Sequence, residues 1–493
     1  MESTTLAGST VQWAVFVLLA AGLAVATWLK VRSARGSSGS SGKDVYLAGG
    51  GLSWLYVAGA ITLTNLSTEQ LVGMNGNQML LLAWWEICGF FGLIVLAYVF
   101  VPIYYRYGCT TVTELLERRY GGGSIRTFIS GLFLFGNVVI YLPAAVYAGG
   151  LFLKPLFGLD IPLIWYAAFL AIASAVYTIA GGLRAVAVAD TFSGIGFLGM
   201  SLLVVYLALQ AVDFDLVSGV PAERLSMLGG PESPIPWPTL LTGMVFIQIF
   251  YWSTNQNITQ KAMAAPTVRE ARKGVLVAAA VRILIVPVIV VVPGVVAYKL
   301  FGDIGDATYG RIVAEVLPPW LSGAFAAIMA SAIVSHTSAT LNSTVALWSM
   351  DFHEPFIRKV SNHWRLGAMV SVIVTVSTIA LVPVFEGADS IINLLQQLNG
   401  LFSMPVLSAF VVGLLFRGVA PGAAIAGVLW GFLFYATYTF WWHPAQLVTL
   451  HYIHFMVIVL GTSVGAALAF NRWVLGRTSQ FTGFSPVPDS PRA

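Results

Sequence analysis

Thirteen apolar stretches divide the chain, each near or above the roughly 20 residues a helix needs to cross a bilayer. They cover 12–30, 54–75, 80–105, 125–154, 161–180, 185–212, 237–257, 272–298, 318–350, 366–385, 389–416, 419–441 and 449–471, and are called the first to thirteenth spans below. The pattern predicts an all-α membrane protein with thirteen transmembrane helices. The longer stretches imply tilt or extra turns outside the lipid. Between them the longest polar intervals are 31–53, 213–236 and the tail from 472, too short for a soluble domain. Gly36-Ser-Ser-Gly-Ser-Ser-Gly42 reads as a flexible connector.

Composition agrees with this pattern. Of 493 residues 58% are apolar and 9% charged, where a soluble domain carries about a quarter charged. That excludes a nucleic-acid binder, a secreted scaffold and a cytosolic enzyme on a membrane anchor. The net charge of +4 matters less than its placement. With the N-terminus outside, alternate loops are cytoplasmic. They hold Lys30, Arg32, Arg35, Lys43, Arg106, Arg118, Arg119, Arg126, Arg184, Lys261, Arg269, Arg272, Lys273, Arg358, Lys359, Arg365, Arg417, Arg472, Arg477 and Arg492, 20 of the 25 basic residues. Lys154, Arg224, Lys299 and Arg311 fall outside, and Arg282 lies within a span. The bias follows the positive-inside rule and assigns the C-terminus to the cytoplasm. Cys88 and Cys109 make no metal or disulfide framework. With Glu2 and no basic residue before the first apolar run, the opening residues do not read as a cleaved signal peptide.

Chemistry concentrates in a few places. Glu69, Glu86, Asp190, Arg282 and His336 are ionisable residues within spans. Any one is consistent with a buried pair holding helices together, whereas five together point to a functional pathway. The second span carries Leu63-Thr-Asn-Leu-Ser-Thr-Glu-Gln70 and the seventh Gln248-Ile-Phe-Tyr-Trp-Ser-Thr-Asn-Gln256. Unbroken lipid-facing helices do not carry such runs. The two lie five spans apart, and an odd number inverts the second copy of a repeated unit. The layout is that of a secondary transporter with its site near the midplane. It divides a single transmembrane domain into an extra first helix and loop (1–53), a first repeat (54–212), an inverted second repeat (237–416), two extra helices (419–471) and a cytoplasmic tail (472–493).

Three further features can be placed by counting. Arg282 lies nine residues beyond Lys273, about 14 Å into the membrane, so its permanent charge must face water, a carboxylate or a solute. Glu86 follows Trp84-Trp85, a grouping suited to sugar hydroxyls and equally common in interfacial packing. Ser331, Ser335, Ser338 and Asn342 share one helical face, either as small-residue packing or as oxygen ligands for a hard cation.

At these residues the chain resembles the sodium/solute symporter family, in its sodium–sugar cotransporter branch. The matching stretches are Thr64-Asn-Leu-Ser-Thr-Glu-Gln-Leu-Val-Gly-Met74, Thr111-Val-Thr-Glu-Leu-Leu-Glu-Arg118, Gly181-Gly-Leu-Arg-Ala-Val-Ala-Val-Ala-Asp190, Tyr251-Trp-Ser-Thr-Asn-Gln256, Ala332-Ile-Val-Ser-His336, Leu341-Asn-Ser-Thr344 and Gln396-Gln-Leu-Asn-Gly400. The resemblance implies two inverted five-helix repeats, the leucine-transporter fold. It further implies that Gln70, Glu86, Gln248, Arg282 and Gln396 hold the solute, with Tyr251, Trp252 and Asn255 on the broken seventh span and Trp85 beside Glu86. Tyr251 would close the inner side and Met74 contribute to the outer gate. Sodium would be held by carbonyls at Leu63, Leu66 and Ala332 and by side chains at Ser335 and His336, with Asp190 near the ion's exit.

Three departures change the reading. His336 stands where the branch has a hydroxyl; imidazole is a poor sodium ligand and titrates near neutral pH. Arg282 replaces Lys and Gln248 replaces Asn, donors that suit a smaller sugar, a polyol or, through a bidentate guanidinium, a sugar acid. The Gln70-to-Glu86 spacing is shorter than in that branch. The expectation is a symporter, not an enzyme, that imports a monosaccharide or related polyol or sugar acid across the bacterial plasma membrane. Na+ is the expected coupling ion, with H+ coupling or no coupling as the alternative. Its partners are a small sugar-like solute and the bilayer, with no nucleic acid, and a monomer is expected. Rival classes are a membrane sensor on a transporter scaffold and an intramembrane hydrolase using His336. The tail of about twenty residues offers the first no output domain. For the second, no serine stands with His336 and a third orienting group in a readable motif.

Overall fold

The computed structural model describes residues 9–34, 50–66, 68–357, 359, 362–386 and 390–483, with backbone alone at 26–34, 63–65 and 181–193. The Gly36–Gly42 connector and the last ten residues lie outside the described residues.

Each of the thirteen expected stretches is largely helical. Among the described residues nine helices are long and apolar enough to cross a membrane: Leu80–Tyr107, Gly123–Phe157, Leu163–Ala180, Val268–Phe301, Pro319–Phe356, His363–Phe385, Ile391–Leu415, Pro421–Trp442 and Tyr452–Trp473. Thr10–Val25, Gly194–Gln210 and Gly243–Ser253 are shorter apolar helices. The second span is not one helix but two, Trp54–Asn65 and Thr68–Gly76, and neither half reaches crossing length.

The fifth and sixth spans are helical without a break over Leu163–Gln210, yet their contacts show two legs. Ser338 donates to the Ser174 carbonyl at 3.0 Å, and Gly196 packs on Ile328. A straight helix would separate 174 from 196 by about 33 Å, whereas 328 and 338 are about 15 Å apart. Leu170 packs beside Ile333 at Gly149, so the first leg runs parallel to the ninth span and the second must return against it.

Glycines set the closest approaches around the cavity. A Cβ at Gly73 would lie 2.7 Å from Ile392 Cβ, and one at Gly89 3.0 Å from the Trp252 indole nitrogen. The second span thus sits directly on the eleventh, and the third on the seventh. Asn75 ties the second span to the eighth, its Nδ2 donating to the Ile289 carbonyl (3.3 Å) and its Oδ1 accepting from Gly294 N (2.7 Å).

At the end assigned by its charges to the cytoplasm, Arg126 bridges three carboxylates. It meets Asp351 (Nε–Oδ1 2.6 Å), Glu117 (2.8 Å) and Glu114 (3.2 Å), while Thr113 and Ser130 also donate to Asp351. The Thr111–Arg118 stretch is a short amphipathic helix, Val112–Tyr120, that this network fastens to the fourth and ninth spans. Lys261, fully buried, donates to the Ala60 carbonyl at 3.1 Å. The tail is not wholly extended from the bundle: Gln480–Phe481 pairs antiparallel with Phe416–Arg417, Phe416 opposite Phe481.

Candidate functional site

The second span breaks where Thr, Asn and Ser crowd together, side chains that compete with helical backbone bonding. Leu66 leaves the helical region at φ −79°, ψ 68°. The helix restarts at Thr68, so Glu69 lies in its first turn, where free N–H groups and the positive dipole end favour a carboxylate. The seventh span breaks in the same manner: Gly243–Ser253 ends at Thr254, and Gln256–Met263 starts under Asn255, whose side chain accepts from Asn257 N at 2.9 Å. The eighth is interrupted at Ile285, because Pro287 has no N–H for the carbonyl four residues back. Arg282 therefore falls in the last turn of a half-helix, the end that favours a cation.

The breaks in the second and seventh spans border a polar cavity partly open to solvent. Its walls are Gln70 and Glu69 of the second span, Trp85 of the third and Tyr141 of the fourth. Ile247, Gln248, Phe250 and Tyr251 come from the seventh span, and Ile392, Leu395, Gln396 and Asn399 from the eleventh.

Of the expected solute residues, Gln70, Gln248, Tyr251, Gln396 and Trp85 line this space. Glu86 and Arg282 are close by but do not line it. They are 1% and 0% exposed and form a tight ion pair with each other. The Arg282 guanidinium also donates to Gln70 Oε1 at 3.5 Å and lies 4.6 Å from the centre of the Trp252 ring. The Gln248 amide is held on both sides, donating to the Trp85 carbonyl (2.8 Å) and accepting from Trp252 Nε1 (2.9 Å). Trp252 itself is buried behind the wall. Asn255 caps the half-helix and is absent from the lining; its polarity in the sequence reflects the break rather than a place in the cavity. Met74 is fully buried beside the cavity residues of its own half-helix and does not reach the space.

At the expected cation position, Ala332 and Ser335 are buried on the ninth span and Leu66 on the second. His336 does not stand alone there: its Nε2 lies 3.2 Å from Glu69 Oε1. Carbonyls and the Ser335 hydroxyl are oxygen donors of the kind Na+ takes, while the imidazole is engaged by a carboxylate of the facing half-helix. Leu63 is described in backbone only, and the Asp190 side chain lies outside the described residues. The expected stripe on the ninth span is used in packing at Ser338, through Ser174.

Tyr141 and Asn399 were not singled out in the sequence. Tyr141 ends a π-helical turn, Asn137–Tyr141, inside the fourth span, and its hydroxyl donates to Asn399 Oδ1. Asn399 Nδ2 donates in turn to Gln396 Oε1 at 3.0 Å. The available signals were Pro143, two residues past the turn, and the single helical turn separating Asn399 from Gln396.

Two interrupted helices meeting at a polar cavity inside an apolar bundle define a secondary transporter. The sequence relationships carry this further. The chain belongs to the sodium:solute symporter family, which it matches over residues 45–431. It is 32% identical to the Escherichia coli protein named uncharacterized symporter YidK over 439 residues, 84% of this chain and 76% of that one. It is 29% identical to the sodium/glucose cotransporter of Vibrio parahaemolyticus, over 85% of this chain and 82% of that one. In three dimensions it resembles a Na+-coupled sialic acid symporter in a substrate-bound outward-open state, with a TM-score of 0.79, 16% identity, and coverage of 96% of this chain and 100% of the other. At that identity the likeness is one of fold.

Proposed function

We propose that this protein drives the uptake of a neutral polyhydroxylated solute, a monosaccharide or cyclitol, across a bacterial plasma membrane with Na+ as the coupling ion. The observation that carries the solute class is the neutralised guanidinium. Among the described residues Arg282 is the one strong cation beside the cavity, and it is paired with Glu86. A sugar acid would gain no unspent positive partner there, whereas hydroxyls suit the amides of Gln70, Gln248 and Gln396. The sodium–sugar relatives support the same class. Na+ binding between the second and ninth spans would favour the arrangement that accepts solute, and each ligand must strengthen the other's binding by the same factor.

The test is uptake into proteoliposomes of glucose, galactose, myo-inositol, a sugar acid and sialic acid. Each is run with an inward Na+ gradient at equal pH, then with an inward proton gradient in sodium-free buffer. Sodium-driven accumulation of a neutral member is expected. Accumulation of the acids alone overturns the solute class. Accumulation on the proton gradient alone replaces Na+ by H+, the second reading, which the His336–Glu69 contact favours.

The outer end supplies a pH dependence. Asp306, in the loop after the eighth span, accepts from Ile391 N at 2.8 Å and packs against Gly76, so it ties the eleventh and second spans together over the cavity. Tyr147 of the fourth span and Glu386 lie in the same electrostatic neighbourhood. Burial pushes the Asp306 carboxyl up to about 6 from 3.8. Opening this face to water returns it toward the ordinary carboxylate value near 3.9. A value raised in the closed arrangement means that protonation stabilises closure, weakly above pH 6 and increasingly as pH falls toward 4. Lowering the external pH from 7 to 5 is expected to shift the balance toward closure by up to about tenfold and to slow initial uptake. Asp306→Asn should flatten that profile; an unchanged acid-side fall in the variant would assign the effect elsewhere.

A further inference from the structure

The cavity has a wall whose hydrogen-bond direction is fixed from behind. Tyr141 is half-buried in the cavity wall at the end of the π-helical turn, and among the described residues its acceptor is Asn399 Oδ1. Turning the Asn399 amide over would face the phenol proton with an N–H in place of that acceptor, a loss of about one hydrogen bond, about 0.5–1.5 kcal/mol. With Oδ1 committed to Tyr141, Asn399 Nδ2 is the group that faces Gln396, and it donates to Gln396 Oε1 at 3.0 Å. Gln396 is thereby held with its Nε2 as the remaining polar group. An isolated glutamine presents a donor or an acceptor with equal ease; this one is committed.

We propose that Tyr141 and Asn399 are positioning residues that set solute specificity by locking Gln396 as a hydrogen-bond donor. The solute position that meets Gln396 must then offer an acceptor oxygen, and its own hydroxyl proton is not required there. The inference rests on the neutral polyol reading and adds to it the sense of one recognition contact.

The test uses whichever neutral sugar the wild-type protein accumulates, with its single deoxy and deoxyfluoro analogues as competitors of labelled uptake. Fluorine accepts a hydrogen bond and cannot donate one. At one ring position the deoxy analogue is expected to compete roughly tenfold more weakly than the parent, the worth of about one hydrogen bond. The fluoro analogue at that position should keep most of the parent's strength. In Tyr141→Phe, which keeps the ring and removes the phenol, KM for the parent should rise about tenfold with little change in maximal rate. The advantage of fluorine over hydrogen should disappear at that same position. A wild type in which fluorine is no better than hydrogen at every position overturns the donor assignment, and this holds even where Tyr141→Phe fails to fold. A variant that keeps the discrimination overturns the role of Tyr141. If the wild type accumulates no neutral sugar or cyclitol, the solute reading falls and takes this inference with it.

Discussion

Glu86→Gln and Arg282→Met, each alone, are expected to abolish solute accumulation and to destabilise the purified protein by about 3–5 kcal/mol. The reason is burial. The two side chains are 1% and 0% exposed, and each is the other's counter-charge. Removing one leaves an ion in a site that water cannot reach. The combined substitution should recover most of the stability, because an apolar or neutral pair of similar volume removes the charge from both sides. Transport should not recover with it. Arg282 also orients Gln70 and packs over the Trp252 ring, and Trp252 in turn holds the Gln248 amide. Thermal unfolding in detergent, read beside uptake, separates the two effects. Singles as stable as the wild type would mean that the pair is solvated and contributes little, and the neutral-solute argument would lose its basis.

His336→Ser is expected to lower the Na+ concentration for half-maximal uptake by roughly tenfold to a hundredfold. The Glu69 carboxylate now faces an imidazole 3.2 Å away. A hydrogen bond to a charged group is worth about 1.5–3 kcal/mol, and each 1.4 kcal/mol is a factor of ten in affinity. Serine removes that competitor, adds a hydroxyl beside Ser335, and leaves the negative charge to the incoming ion. Glu69→Gln should act in the opposite direction by removing the charge. The measurement is initial rate against Na+ at fixed solute and fixed pH. If both variants follow the wild-type curve, the cation does not bind between the second and ninth spans.

Much of the architecture was legible because bilayer thickness imposes a length on every apolar run. The two broken helices were equally legible, since Thr64, Asn65, Ser253 and Thr254 are a poor composition for a continuous lipid-facing helix. The fifth and sixth spans show a limit of the same signal. Hydropathy separates them into two apolar legs, while the secondary structure is one helix over Leu163–Gln210; their packing on the ninth span shows through Ser338 and Ile328. Asn255 illustrates a different limit. A polar residue at a helix break is needed as a cap whether or not a solute is near, so its type alone does not distinguish the roles. Tyr141 carried no flag because tyrosine is ordinary in an apolar helix, and a π-helical turn redirects a side chain without changing composition.

The sequence by itself determined the membrane class, the positions of the apolar helices and the identities of the rare ionisable residues, because lipid penalises uncompensated polarity one residue at a time. Only the tertiary structure decided which of those residues meet. Glu86 and Arg282 are 196 positions apart, and Glu69 and His336 are separated by most of the intervening bundle. Pairing depends on how helices pack around a common cavity, and no local pattern encodes that geometry. The charge on Arg282, which read along the chain must face water, a carboxylate or a solute, is closed in the structure by a carboxylate from another helix.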